Sequence, residues 1–428
     1  MDKQRVSNLL KTLGPGILFA STAIGVSHLV QSTQAGAIYG FALIPIILAA
    51  NLFKYPFFEY GSRYANATGE SLIDGYKRVG KWMLWLYFLI TLGSMFFVSA
   101  AVGAVTSGFL QNLFGISGLG IWPTVGLFGI CGGILMAGKY GLLDSLIKIV
   151  GAILLISTLL AFVLALIKGP DPQSAEAIAP DLWSSSSVLF IIALMGWMPT
   201  AVDLSAWNSL WTIARIKQTG YKPTLKETLL DFNFGYIISA LLAICFVTLG
   251  AYALFGSGAK LPEKPGDFAH WVVGLFTGFL GSWSYVIIAA AAFSIMFGTC
   301  IAVFDGYSRA LERTVQLLFL ENSKEALVKS DVKKKATSTI YVTSLMVVVL
   351  GSFGIVFFFG SKLKSLVELA MTISFLIAPV IALVNFRLVT GKYIQDDAKP
   401  PLWLRTLSWA GIIFLTGFAL YYAWVKLH

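Results

Sequence analysis

Long apolar runs separated by short polar segments dominate the 428-residue chain. A helix crossing the ~30 Å hydrocarbon core of a bilayer needs roughly 20 mostly apolar residues. That window predicts eleven spans, at 14–40, 42–62, 82–111, 119–138, 144–167, 187–212, 233–255, 281–304, 337–360, 366–387 and 403–425. Almost no loop joins the first to the second, and a short turn near Gly360 joins the ninth to the tenth. No polar segment is long enough for a soluble domain. Residues 1–428 therefore read as one all-α transmembrane domain, with helices 1–5 over 14–167, helices 6–10 over 187–387 and helix 11 over 403–425.

The basic residues sort with these spans. With the N-terminus on the cytoplasmic side, the inner segments hold 24 Lys and Arg and the outer ones six, and Lys54 is left inside the second span. Positive charge stays inside, so the N-terminus is expected in the cytoplasm of a cell with an inner (plasma) membrane, and the C-terminus outside. An odd number of crossings agrees. The segment 1–11 is polar and basic, and no small-residue cleavage site closes the run after it, so no signal peptide is expected. The 305–336 connection, ending in Lys333, Lys334 and Lys335, is expected to extend the eighth helix as an amphipathic piece meeting anionic lipid.

Composition narrows the function class. The chain is 57% hydrophobic and 12% charged, whereas a soluble domain carries about a quarter charged residues. A soluble enzyme is excluded on that ground. The net charge of +10 lies in short groups between apolar runs, not on one solvated face, so nucleic acid is not an expected partner. The bilayer is, and nothing points to an obligate protein partner. Cys131, Cys245 and Cys300 fall in apolar stretches and read as small hydrophobes. No nucleophile–base pair, phosphate loop or cofactor motif occurs, so neither an enzyme nor a resident cofactor is expected.

Two spans depart from the apolar pattern. The first packs Ser, Thr, Gly, Gln and His between Ser21 and Ala37. The sixth carries Gly196, Pro199 and Asp203, and proline breaks a helix interior by removing a donor and clashing with the preceding turn. Irregular backbone at membrane depth survives only where it is buried in protein or lines a cavity. The two spans run in opposite directions, so helices 1–5 and 6–10 are predicted to be inverted copies. Interrupted spans at matching places in two inverted halves point to a transporter site at the midplane.

At these residues the chain resembles the natural-resistance-associated macrophage protein (NRAMP) family of divalent-metal transporters. Gly14 to Ala20 (GPGILFA), Ala35 to Phe41 (AGAIYGF) and the run from Lys54 to Gly80 carry the resemblance. It implies a LeuT-like fold of five plus five inverted helices with helices 1 and 6 broken, and transport by alternating access. The family's Asp-Pro-Gly-Asn is replaced by Gly25-Val26-Ser27-His28, and its Met-Pro-His by Met198-Pro199-Thr200. Met195 stands where the family uses an alanine carbonyl, and Ser205 where it places a second histidine. The family's third helix carries acidic residues associated with proton movement, but Trp82 to Asn112 has no Asp, Glu, His, Lys or Arg, so its basis for proton coupling is missing.

The resemblance implies a divalent metal ion as substrate. The expected ligands are His28, Met198 and Asp203, assisted by Ser27, the Thr200 hydroxyl and carbonyls near Gly25 and Met195. Imidazole and thioether suit a soft or borderline metal. Gln31, Ser32, Ser205 and Trp197 are expected to line the path. The alternative keeps the fold but carries a small anion or organic solute, either with Na⁺ or uncoupled, since half-helix N-termini can hold an anion. A non-transporting membrane component is a third reading that nothing favours.

Simpler local readings stand beside these. Thr200 to Asp203 has capping-box spacing, and His28 alone would read as a packed, hydrogen-bonded histidine were it not in register with the family's ligand. Met198 is a common gap-filler type. Trp207 and Trp211 read as an interfacial belt, the small polar residues of the first span as close-packing contacts, and Glu59–Arg63 as an i, i+4 ion pair.

Overall fold

The computed structural model describes residues 11–137, 155–170, 177–257, 262, 264–320, 330–359 and 362–427, and among these every regular element is helical. The first span is two pieces, α1 (Pro15–Ala23) and α2 (Thr33–Tyr39), joined through a π-helical turn at Ser27–Ser32. Then come α3 (Ile44–Thr68), α4 (Leu72–Val79), α5 (Lys81–Phe114), α6 (Trp122–Met136) and α7 (Leu155–Lys168). The sixth span is also two pieces, α8 (Ser185–Trp197) and α9 (Leu204–Thr219). The chain continues with α10 (Leu225–Leu254), α11 (Pro265–Leu280), α12 (Tyr285–Val315), α13 (Ser330–Phe359), α14 (Leu363–Thr390) and α15 (Leu402–Leu427).

Among the described residues six helices are long and apolar enough to cross a membrane. Large apolar side chains face outward on them, such as Leu89, Phe358 and Ile413. An apolar exterior of that extent suits lipid, not water. The start of the predicted fifth span and part of the 305–336 connection lie outside the described residues.

Two elements were not predicted. Helix α11 lies between the seventh and eighth spans and buries Phe268, Val272 and Phe276 at i, i+4 and i+8. Its 16 residues fall short of a crossing, and it packs so tightly on α5 that a Cβ at Gly108 would sit 2.2 Å from the Pro265 carbonyl. Helix α4 is short and held at its start by a reciprocal cap between Ser71 and Asp74.

Contacts sort the connections into two sets, and these match the two sides distinguished by the basic residues. On one face Asp231 meets Gly14 and Gly16, Arg215 meets Lys11, Asn66 meets Pro223, and Arg63 meets Ala398. Arg313 there pairs with Asp74. On the opposite face Tyr285 joins Asn112 to His270, and Tyr39 donates to Ser187. We call the first the N-terminal face.

Asp74 gives that face a pH signature. Burial raises its carboxyl, but hydrogen bonds and charge from Arg313, with donors from Ser71, outweigh burial and leave it below its ordinary 3.8. A depressed carboxyl contributes stability that is fully present above the ordinary value and is lost as pH falls through the folded one. Wild type should therefore lose more of its melting temperature than Asp74→Asn between pH 5 and pH 3. Equal losses would remove this account of the pair.

Candidate functional site

The site is built from the two breaks. Helix α1 stops at Ala23 because Ile24 leaves the helical region (φ −79°, ψ 66°). Helix α8 stops at Trp197, and Met198 is extended before α9 resumes. Ser27 stands between them: its Oγ lies 2.8 Å from the Ala23 carbonyl and 3.2 Å from that of Pro199. Thr22, Val26 and Ser27 then face Trp197, Thr200 and Thr299 around a cavity of about 20 Å³. That is room for about one water molecule. A second, larger cavity of about 520 Å³ lies toward the opposite face, lined by Gln34, Tyr39, Phe190, Lys364, Glu368 and Lys426 among others.

The expected ligands are not gathered in that centre. His28 is fully buried, with Nε2 2.8 Å from the Ser239 carbonyl on α10 and Nδ1 2.8 Å from Ser27 Oγ. A carbonyl only accepts, so Nε2 carries the proton, and in neutral imidazole Nδ1 then accepts from Ser27. Both ring nitrogens are engaged, and the ring lies edge-on to Phe246. Asp203 is buried where the sixth span resumes, while the Tyr307 hydroxyl of α12 is directed at Ser94. The capping-box reading is corrected: α9 begins at Leu204 with Asp203 itself at the cap position and no side-chain cap bond.

Met195 and Met198 are fully buried, and their carbonyls accept from Lys54. Gly25 faces Thr299, whose Cγ2 would lie 2.9 Å from a Cβ at position 25. A side chain at position 25 would therefore need Thr299 of α12 to shift. Ser205 accepts from Asn385 on α14, while Ser32 donates to the Ser27 carbonyl. The indole N–H of Trp197 reaches Ser374. Gln31 Oε1 and Gln34 Nε2 are buried polar atoms without a hydrogen-bond partner. Among the described residues no group of three His, Cys, Asp or Glu is placed to hold a metal ion.

Two corrections concern the aromatic and basic residues. Trp207 and Trp211 are buried rather than interfacial, with Trp207 packed edge-on against Tyr307 at 4.5 Å. Lys54 is the buried charge that sequence reasoning left unassigned. Its Nζ donates to the carbonyls of Met195, Gly196, Met198 and Thr200 at 2.6 to 3.2 Å. The signal was a lone lysine inside an apolar span, where ionisable groups are functional by default.

On the N-terminal face the start of α1 is tied to α10. The Asp231 carboxylate accepts from the Gly14 and Gly16 N–H groups at 3.2 and 2.7 Å, holding the start of α1 against α10. Asp231→Ala should cost about 1–3 kcal/mol for the amides left unpaired. It should also speed maleimide labelling of a cysteine at the buried Thr12. An unchanged labelling rate would show that the carboxylate does not hold α1.

Comparison with known proteins agrees with this architecture. An uncharacterised protein of Pasteurella multocida is 35% identical over 426 residues, covering 98% of this chain and 93% of that protein. The divalent metal cation transporter MntH of Listeria monocytogenes is 21% identical, covering 96% and 89%. Among solved structures, the Eremococcus coleocola manganese transporter aligns over 98% of this chain and 87% of its own, with a TM-score of 0.64 at 16% identity, a likeness of fold. A model of the family described as natural resistance-associated macrophage protein-like matches residues 16–425, and the chain belongs to that family.

Proposed function

We propose that the chain moves a metal ion across the plasma membrane by alternating access, with the N-terminus in the cytoplasm and the cargo held between the breaks of the first and sixth spans. The observation that carries this reading is the position of Ser27, whose Oγ lies within 3.2 Å of a carbonyl from each break beside a cavity at their junction. Family membership and the relatives named for divalent metal and manganese support the cargo class. The inverted repeat is part of the proposal: α1 and α2 pack along α10, and α9 packs along α3, as exchange of the two halves requires.

In this reading Ser27 and Thr200, which line that cavity, are the donors at hand, with Met198 beside them in the break. His28 joins them only by leaving Ser239, the Gly25 carbonyl only by leaving the His28 and Leu29 amides, and the Met195 carbonyl only by displacing Lys54, while Asp203 is the acid the sixth-span break supplies. Ser205, Gln31, Ser32 and Trp197 act around the centre rather than on the ion. The cavity toward the opposite face and the Asp231 clamp describe a state closed on the N-terminal face. Release of α1 from α10 then opens the other side, as alternating access requires.

One observation favours a second reading, an uncoupled carrier of a small anion or organic solute. An ammonium sits against the Thr200 carbonyl, where no acid stands at position 25 to offset it. Fixed positive charge beside a site repels a dication and attracts an anion. Thermal-shift measurements separate the two. The metal reading predicts saturable stabilisation of wild type by Mn²⁺, Fe²⁺, Zn²⁺ or Mg²⁺, weakened in Ser27→Ala. Stabilisation by small carboxylates or neutral solutes, with no response to any metal, would assign the second reading.

A further inference from the structure

The cage around Lys54 has its own logic. Helix α8 ends at Trp197 and α9 starts at Leu204, so carbonyls at the end of α8 have no partner within the helix. They also sit at the negative end of its dipole. The end is fixed in place: a Cβ at Gly196 would lie 2.1 Å from the Met371 carbonyl of α14. Four carbonyls converge there on one point, and the Lys54 ammonium occupies it at 2.6, 2.9, 3.2 and 3.0 Å. Lys54 is completely buried. Asp203 is the acid whose charge acts on it.

Carbonyls freed by a broken transporter helix are the ligands such proteins offer to a coupling cation. The distances here are those of ordinary N–H···O bonds, and the ring matches a small monovalent cation in charge and size. We propose that Lys54 is a tethered cation that fills a monovalent-cation site in the broken sixth span, so that this site needs no dissolved Na⁺ or K⁺. Removal of the ammonium exposes a cage that takes NH₄⁺, K⁺ or Na⁺. The inference holds whichever cargo the neighbouring centre carries.

The test is thermal unfolding of purified wild type, Lys54→Ala and Lys54→Gln in the chlorides of choline, Na⁺, K⁺ and NH₄⁺ at equal ionic strength. Wild type should melt at one temperature in all four. Lys54→Ala should melt several degrees lower in choline and recover saturably in at least one small cation. Lys54→Gln, whose amide reaches into the cage, should show little cation preference. If Lys54→Ala does not survive purification in choline, its recovery as a monodisperse protein in NH₄⁺ or K⁺ is the same rescue. The proposal is overturned if Lys54→Ala shows no preference among the salts, or if no small cation recovers it while Lys54→Gln is recovered.

Discussion

Alanine at Glu59 is expected to destabilise the protein by about 3–5 kcal/mol, the cost of leaving a buried ion pair half made. Glu59 and Arg63 lie one turn apart on α3, with side chains 2% and 6% exposed. The guanidinium grips the carboxylate through Nε and Nη2 and spends Nη1 on the Ala398 carbonyl at 2.7 Å. One pair thus ties the second span to the turn before the last helix. Without Glu59 the Arg63 charge stays buried and unmatched, whereas the double variant Glu59→Gln with Arg63→Met leaves no charge behind. The melting temperature should fall steeply in Glu59→Ala and recover partly in the double variant. A double variant worse than the single one would contradict the charge argument.

Alanine at Gly16 should shut down transport as well as destabilise. Its Cβ would lie 2.0 Å from the Asp231 carbonyl oxygen, and a Cβ at Gly235 would lie 2.0 Å from that of Gly16, so α1 and α10 touch backbone to backbone. A methyl group forces the helices apart, at about 1–3 kcal/mol for overpacking. The hydrogen bond from the Gly16 amide to the Asp231 carboxylate goes with it, and bonds to charged groups are worth about 1.5–3 kcal/mol. Gly16→Ala should resemble Asp231→Ala in the labelling of a cysteine at Thr12, but with a lower melting temperature. Transport at the wild-type rate in Gly16→Ala would show that this contact is not part of the closed state.

Element positions were legible because length and hydropathy set them. The predicted 82–111 and 366–387 fall within α5 (Lys81–Phe114) and α14 (Leu363–Thr390). The two breaks were legible too, since proline, glycine and clustered polar residues interrupt an apolar span for a local reason. What the side chains face was not. His28 stands in register with a family ligand yet turns to Ser239, a choice made by α10 from 211 positions away. Trp207 and Trp211 have the spacing of an interfacial pair, but Tyr307 buries the first of them. Lys54 looked like a stray charge because its four acceptors lie 141 to 146 positions further along the chain. Helix α11 escaped because a span window does not register a 16-residue helix lying on another helix.

Metal-ion uptake into proteoliposomes tests the central claim most directly. Wild type, Ser27→Ala and Thr200→Val would be compared with Mn²⁺, Fe²⁺, Zn²⁺ and Mg²⁺, each protein first shown to be folded by its melting transition. The account predicts flux of at least one metal by wild type, reduced about five- to tenfold in either variant, since a donor contact worth about 1–1.5 kcal/mol corresponds to roughly that factor. Folded wild type that passes none of the four metals, or variants that carry them at the wild-type rate, would contradict it.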